Sequence, residues 1–412
     1  MIFFRQLILI DTAIASLLFF VVGCNPNETT VDAVLPVGVI VSEKIDGPTR
    51  ARDTIRCSEL IANAYNRAGG VLIDGIRYQV DLKVVDYGDD SMQAIRMASH
   101  LIHNEGVRYF IGPDSGDSLD AVTPLYQAAG ALFVHSDMSF DCDRMSTLGL
   151  RGSPRLGQSL ELLCGYLKEE RAVQSIAVVA GMQSGAIAQK IRVEELCREF
   201  GFSTQSLARY DVREEVYNHD MVDAALEEWC RRLLVEQPDA ILLCGFFSEI
   251  VPSALQSLKE LNYSGEVVVL DGRGPKLSGV GVDLWEGVLF LGGLEGDESY
   301  SKYYWQLRRR GEMSDVPWSV ESTTKLYALE TLLLLLQAGD AAAVDDPRYL
   351  LEVFERHSFA QDPFCSDGRS LRILGEENSS SGWQIQVPVF ISEVVDGAPS
   401  VVRSFQPLTK AK

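Results

Sequence analysis

Residues 107–130 read VRYFIGPDSGDSLDAVTPLYQAAG, and the fold turns on how that stretch divides. Val107 to Ile111 is a short apolar run, the pattern of a strand buried on both faces. Gly112 and Pro113 stop it, and the spacing of SLDAVTPLYQAAG predicts a helix directly afterwards. Between strand and helix lie Asp114, Ser115, Gly116 and Asp117. Backbone N–H groups presented at a helix start can hold an anion. Here no Lys or Arg follows the glycines, and two carboxylates flank the serine, so the loop is not a phosphate loop.

The same alternation runs outward in both directions. VLPVGVIV precedes the helix pattern RDTIRCSELIANAYNRAGG, which Gly69 and Gly70 terminate. YQVDLKVVDYG, the helix SMQAIRMASHLIHNEG and, beyond the opening stretch, the strand ALFVHS complete a first α/β set. After RGSPRLGQ the pattern restarts with SIAVVAG, a helix from Ala186 to Phe200, STQSLARYDV, MVDAALEEWCRRLLVEQ, AILLCGFF, SALQSLKELN and EVVVLDG. Two further helices, SVESTTKLYALETLLLLLQAG and PRYLLEVFERH, and an alternating terminal strand, QVPVFISEVVDG, end the chain. Repeated strand–helix–strand units dictate parallel sheets with right-handed crossovers. The expected fold class is therefore α/β, with two doubly wound lobes, as a chain of 412 residues requires.

In doubly wound sheets ligands sit beyond the carboxyl ends of the strands. The candidate walls are then Gly112 to Asp117, Ser136 to Ser139, Gly181 to Gly185, Gly245 to Ser248, and Asp271 to Gly274. Four of them are rich in Gly, Ser and Asp, a composition that suits a polar cleft and also suits plain turns.

Composition narrows the partners. A formal net charge of −21 opposes binding to nucleic acid or to an anionic membrane surface, leaving small molecules and proteins. The N-terminus, MIFFRQLILIDTAIASLLFFVVGC, carries Arg5 ahead of an apolar run that ends at Cys24, and the polar NPNETT follows. That is the pattern of a secretory signal, residues 1–23, too short for a comfortable membrane span. A small residue before cysteine resembles the lipobox of bacterial lipoproteins, which implies Cys24 as the lipidated residue and 24–33 as a linker. The other seven cysteines show no CxxC spacing and no Cys/His cluster, so no metal or haem attachment is expected. An oxidising compartment allows one or two disulfides whose pairing the spacing leaves open.

Three segments in order, CSELIANAYNRAGGVLIDGIRYQVDLKVVDYGDDSMQAIRMASHLI, FIGPDSG and DGRGPKLSGVGVDLWEGVLF, give the chain a family resemblance. It resembles the type I periplasmic binding proteins, in the Leu/Ile/Val-binding branch of the ABC-transporter solute-binding proteins. The resemblance implies two lobes joined by a three-crossing hinge, with the ligand in the interlobe cleft. It places the crossings near Ser153–Leu156, near Leu289–Gly292 and near Gln386, so that 34–154 with 290–385 form one lobe and 155–289 with 386–412 the other. By the same resemblance, a ligand carboxylate meets Ser115, Gly116 and Asp117 in one loop and Ser136, Asp137 and Ser139 in the next. Asp271, in LDGRG, falls where the family meets the ligand ammonium. Two aromatic positions of the family fall at or beside Arg50 and at Ser184, and Phe246 and Phe247 are the candidates to supply one aromatic wall. These departures argue against a branched aliphatic ligand. The expected role is a monomeric lipoprotein, held to the periplasmic or cell-surface face of a membrane only by its lipid. It binds an amino acid or related solute, without a cofactor, for ABC permease subunits. A sensor or envelope interaction protein on the same fold is the alternative. An enzyme is not expected, because the neighbours His135 and Ser136 in VHSD point to opposite faces of a strand and no catalytic motif is present.

Overall fold

Val37, Val39, Ile40 and Val41 are all buried, on both faces of the strand β1 (Ala33–Val41), as a strand interior to a parallel sheet requires. A computed structural model describes this protein at residues 33–45, 48–114, 116–135, 148–152, 156–180, 186–206, 219–245, 250–270, 282–291, 309–312, 320–339, 341–350, 373–375, 383–385 and 389–405. It is a mixed α/β structure built on two sheets.

The first sheet comprises β1, β2 (Val71–Ile73), β3 (Ile76–Asp86), β4 (Tyr109–Ile111), β5 (Leu132–His135), β6 (Gly149–Arg151), β12 (Ile373–Gly375) and β13 (Trp383–Ile385). Its order is β12-β13-β6-β5-β4-β1-β3-β2. The run β3-β1-β4-β5-β6 is parallel throughout, as is β6 with β13, and the outer strands β2 and β12 are antiparallel to their neighbours. The helices that cross between these strands are α1 (Pro48–Arg67), α2 (Ser91–Asn104) and α3 (Gly116–Ala129). α1 stops where the glycines were expected to stop it: the Gly70 N–H donates to the Tyr65 carbonyl at 2.9 Å, and Gly70 has φ +86°.

The second sheet has the order β15-β14-β11-β10-β9-β7-β8. Its strands are β7 (Ser175–Ala180), β8 (Ser203–Ser206), β9 (Ala240–Cys244), β10 (Glu266–Val269), β11 (Leu289–Leu291), β14 (Val389–Val395) and β15 (Ala398–Phe405). The run β8-β7-β9-β10-β11 is parallel, and β14 and β15 close that side in antiparallel fashion. The helices α4 (Leu156–Glu169), α5 (Ala186–Glu199), α6 (His219–Leu233) and α7 (Val251–Glu260) belong to this half, and α6 runs on into a 3₁₀ turn at Leu234–Glu236.

The helix α8 (Val320–Ala338) packs on α1 and on the first sheet. Leu329, Leu332, Leu333, Leu335 and Leu336 are all buried in the first core, which accounts for the leucine run without a bilayer. Among the described residues no helix is long and apolar enough to cross a membrane. The chain therefore changes sheet between Arg151 and the second-sheet strand β7, between Leu291 and the first-core helix α8, and between Ile385 and Val389.

Two hairpins depart from the single strands expected. Asp74-Gly75, at φ 48° and 81°, turns β2 into β3, and Asp396-Gly397, at φ 52° and 72°, turns β14 into β15. Consecutive positive φ angles give the turn the twist that two-residue hairpins need. STQSLARYDV is a strand over Ser203–Ser206, and most of PRYLLEVFERH lies outside the described residues.

Candidate functional site

Both sheets share one arrangement. Numbering the parallel strands of each in chain order, the first strand lies between the second and the third, so the direction of winding reverses between β1 and β4 in one sheet and between β7 and β9 in the other. Crevices at the carboxyl ends of strands, at such reversals, are where doubly wound sheets bind ligands.

In the first half the loop after β1 is tied to the loop after β3. The Ser42 hydroxyl donates to the Gly88 carbonyl and accepts from the Ile45 N–H at 2.8 Å, and Lys44 pairs with Asp89 at 2.8 Å. Asp90 caps α2, accepting from the Met92 N–H at 2.9 Å. The loop after β4 is held more firmly. Gly112 sits at φ +80° with its Cα so close to β1 that a Cβ would lie 2.5 Å from the Ile40 carbonyl oxygen, and a cis peptide joins it to Pro113. Only glycine fits there. The Gly112 N–H donates to the Val134 carbonyl at 2.8 Å, and Tyr126 of α3 reaches back to donate to the Gly112 carbonyl at 3.4 Å.

Beneath this loop is a buried polar floor that the sequence did not single out. Asp114 is buried and accepts from the Thr54 hydroxyl of α1 at 3.4 Å. His135 ends β5 and Arg151 ends β6, paired across the ladder, and both are buried. Burial above all, and the Arg151 guanidinium second, push the His135 imidazole down to about 3 against the pull of Asp114. The imidazole is therefore neutral at physiological pH. Asp114 shares one site with a histidine and an arginine that belong to neighbouring strands, a juxtaposition set by strand order rather than by sequence proximity.

Of the residues expected at the ligand, Gly116 is the first residue of α3 and half-buried, and Asp117 is exposed in its first turn. Both thus belong to the helix start rather than to a free loop. Arg50 lies in the first turn of α1. Cys24, Ser115, Ser136, Asp137, Ser139, Ser184, Phe246 and Asp271 lie outside the described residues. The described strands nearest them in sequence are β5 for Ser136 to Ser139, β7 for Ser184, β9 for Phe246 and β10 for Asp271.

A cavity of about 470 Å³ lies elsewhere, at the amino ends of β7, β9 and β10, lined by Arg171, Asp239, Tyr263 and Glu266 among others. Its charges serve the fold. Asp239 accepts from the Gln174 and Ser175 N–H groups at 3.0 and 2.9 Å, and Arg171 pairs with Glu266 and with Glu393 of β14. The carboxyl ends of the strands, where doubly wound sheets bind ligands, lie at the opposite side of the sheet from this cavity.

Two doubly wound sheets of matched strand order, linked by a chain that passes repeatedly between them, are the architecture of the two-lobed type I periplasmic binding protein fold. The chain belongs to the periplasmic binding protein family, whose model matches residues 35–342. The type I, Leu/Ile/Val-binding resemblance read from the sequence is borne out. No curated protein is matched by the chain. Among solved structures it is similar to a leucine-binding protein, LivK, from Thermotoga maritima, at 15% identity and a TM-score of 0.68, over 91% of this chain and 99% of that one. It is similar to LivJ of Streptococcus pneumoniae, a branched-chain amino acid transporter substrate-binding protein in complex with isoleucine, at 14% identity and 0.67, over 90% and 99%. A Rhodopseudomonas palustris ABC-transporter solute-binding protein in complex with 3,4-dihydroxybenzoic acid matches at 14% identity and 0.68, over 92% and 99%. At such identities the likeness establishes the fold.

Proposed function

We propose that the protein is an extracytoplasmic solute-binding lipoprotein of an ABC transporter, which captures a small carboxylate-bearing solute, an amino acid or a relative of one, between its lobes. The observation that carries this reading is the loop after β4, clamped against β1 through Gly112 and leading into the start of α3. Residues 112–117 carry no cationic side chain and lead into a helix start, a setting that suits a carboxylate better than a phosphate. The ligands named for two of the similar structures, isoleucine and dihydroxybenzoic acid, have a carboxylate in common. Ser115, Gly116, Asp117, Ser136, Asp137 and Ser139 are proposed for that end of the solute, and Asp271 for an ammonium. Arg50, Ser184 and Phe246 would set the rest of the specificity. The lobes are proposed as 34–154 with 292–385 and 155–291 with 386–412, the boundary expected at 289/290 moved past β11 because that strand pairs within the second sheet, and they close on the ligand about the crossings. Closure is favoured by the ligand's higher affinity for the closed state. Cys24 is proposed to carry the lipid anchor, and permease subunits to receive the solute.

The test is thermal unfolding of the chain from residue 25 onward against amino acids, polyamines, small amides and aromatic carboxylates. A ligand at about 100 times its dissociation constant stabilises the native state by roughly 2.7 kcal/mol. A selective shift with carboxylates supports the reading. Silence across a panel that shifts a known amino-acid-binding protein would turn the assignment to the sensor or interaction protein. For an amine-bearing hit, Asp271→Ala is expected to weaken binding by at least about tenfold in calorimetry, since it strands a desolvated ammonium. Unchanged affinity would remove Asp271 from the site.

A further inference from the structure

Two thiols of the second half face each other. Cys164 lies in α4 and Cys197 in α5, helices that pack directly on one another on the same sheet, and both side chains are fully buried in one apolar core. Cys197 is the neighbouring group that acts most strongly on the Cys164 thiol, and both stand as buried free thiols in this structure. Cys244 of β9 is buried in the same core, while Cys230 lies in the neighbouring core on the other side of the sheet and Cys57 in the first half.

We infer that Cys164 and Cys197 are joined by a disulfide in the mature protein, bracing α4 against α5. The inference rests on the extracytoplasmic reading above, because an oxidising compartment is where such bonds form and persist. In the folded state the neighbouring Cys197 thiol first, and burial second, hold the Cys164 thiol well above the usual range, so the nucleophilic thiolate is scarce once the core has closed. Oxidation accordingly belongs to folding, before the helices dock. A disulfide oxidant, glutathione disulfide or a dithiol–disulfide oxidoreductase, is attacked at one sulfur by the Cys164 thiolate. The mixed disulfide forms and the first oxidant thiolate leaves. The Cys197 thiolate then attacks the Cys164 sulfur, expelling the second oxidant thiolate. The two protons lost by the cysteines end on the two reduced oxidant thiols, and the protein is oxidised by two electrons.

The experiment has two arms. In the first, the full-length chain is recovered from cells under acid quench, free thiols are capped with N-ethylmaleimide, and its peptides are mapped by mass spectrometry with and without reductant. In the second, the denatured, reduced chain is refolded in glutathione buffer containing glutathione disulfide and mapped in the same way. A Cys164–Cys197 cross-linked peptide in both arms is expected, with a drop in melting temperature of roughly 5–10 °C on reduction. The variant Cys244→Ala is expected to keep the cross-link. The bond in the refolding arm alone would support the pairing and refute export to an oxidising compartment. Capped Cys164 and Cys197 in both arms, or a bond from either to Cys244, would overturn the inference.

Discussion

Replacing Phe110 with alanine is expected to destabilise the protein by about 3–5 kcal/mol at neutral pH, the usual cost of emptying a phenylalanine site in a packed core. Phe110 lies in β4, two residues before Gly112, and is fully buried. Its ring stacks on Tyr126 of α3 with centroids 4.7 Å apart, and Tyr126 in turn meets Phe133 of β5 at 5.1 Å. On its other side the ring occupies the space above Gly38 of β1, where a Cβ would come within 2.5 Å of it. Gly38 and Phe110 are partners in the β1–β4 ladder, so glycine here is the complement of the ring rather than a flexible joint. The substitutions should therefore be coupled. Gly38→Ala is expected to be costly in the wild-type background and much cheaper beside Phe110→Ala, where the ring it would strike is gone. Urea unfolding of the two single variants and the double, followed by circular dichroism, measures this. Additive losses would mean that the ring and the glycine do not compete for space.

The second large effect is a pH dependence. His135 is held near 3 in the folded protein against an ordinary value of 6.5. Above pH 6.5 neither state protonates it, and its contribution to stability is intact. Below that, the unfolded chain takes up a proton that the native site refuses, so stability falls as the pH drops towards 3. The slope approaches about 1.4 kcal/mol per pH unit, which amounts to roughly 2–3 kcal/mol between pH 6.5 and 4.5. His135→Gln, which titrates in neither state, should be flatter across that window, whatever its stability at pH 7. Carboxylates, which ordinarily titrate near 4, protonate mostly below it. Equal slopes for wild type and variant between pH 6.5 and 4.5 would show that the imidazole is not the source.

Much of this architecture was legible because the parallel strands announce themselves. VLPVGVIV, SIAVVAG and AILLCGFF are apolar on both faces, and the helices between them carry their own stops, as Gly69-Gly70 does for α1. What escaped had weaker local signals. Asp74-Gly75 between apolar runs is a hairpin signal that could have revealed β2, and the second Asp-Gly pair could have revealed β15. Ile373–Gly375 and Trp383–Ile385 are too short to show any period, and they become strands through pairing with a neighbour far away in sequence. The site divides in the same way. The polar loops beyond the strands could be read from Gly, Ser and Asp content, but no local pattern marks Asp114, His135 and Arg151 as a buried group. Their burial follows from strand order, with β5 between β4 and β6, and from α1 laying Thr54 beside Asp114.

The place of β13 in the first sheet has a consequence for biogenesis. This strand pairs with β6, yet Trp383 follows Arg151 only after every parallel strand of the second sheet has been made. At ribosomal rates of about 5–20 residues per second, the delay is on the order of ten to fifty seconds. Throughout that interval the nascent first sheet has an uncovered β6 margin, a template for illicit pairing with other chains. A polypeptide wired in this way gains little by folding as it emerges. Its first sheet can be completed only once residues 383–385 have been made.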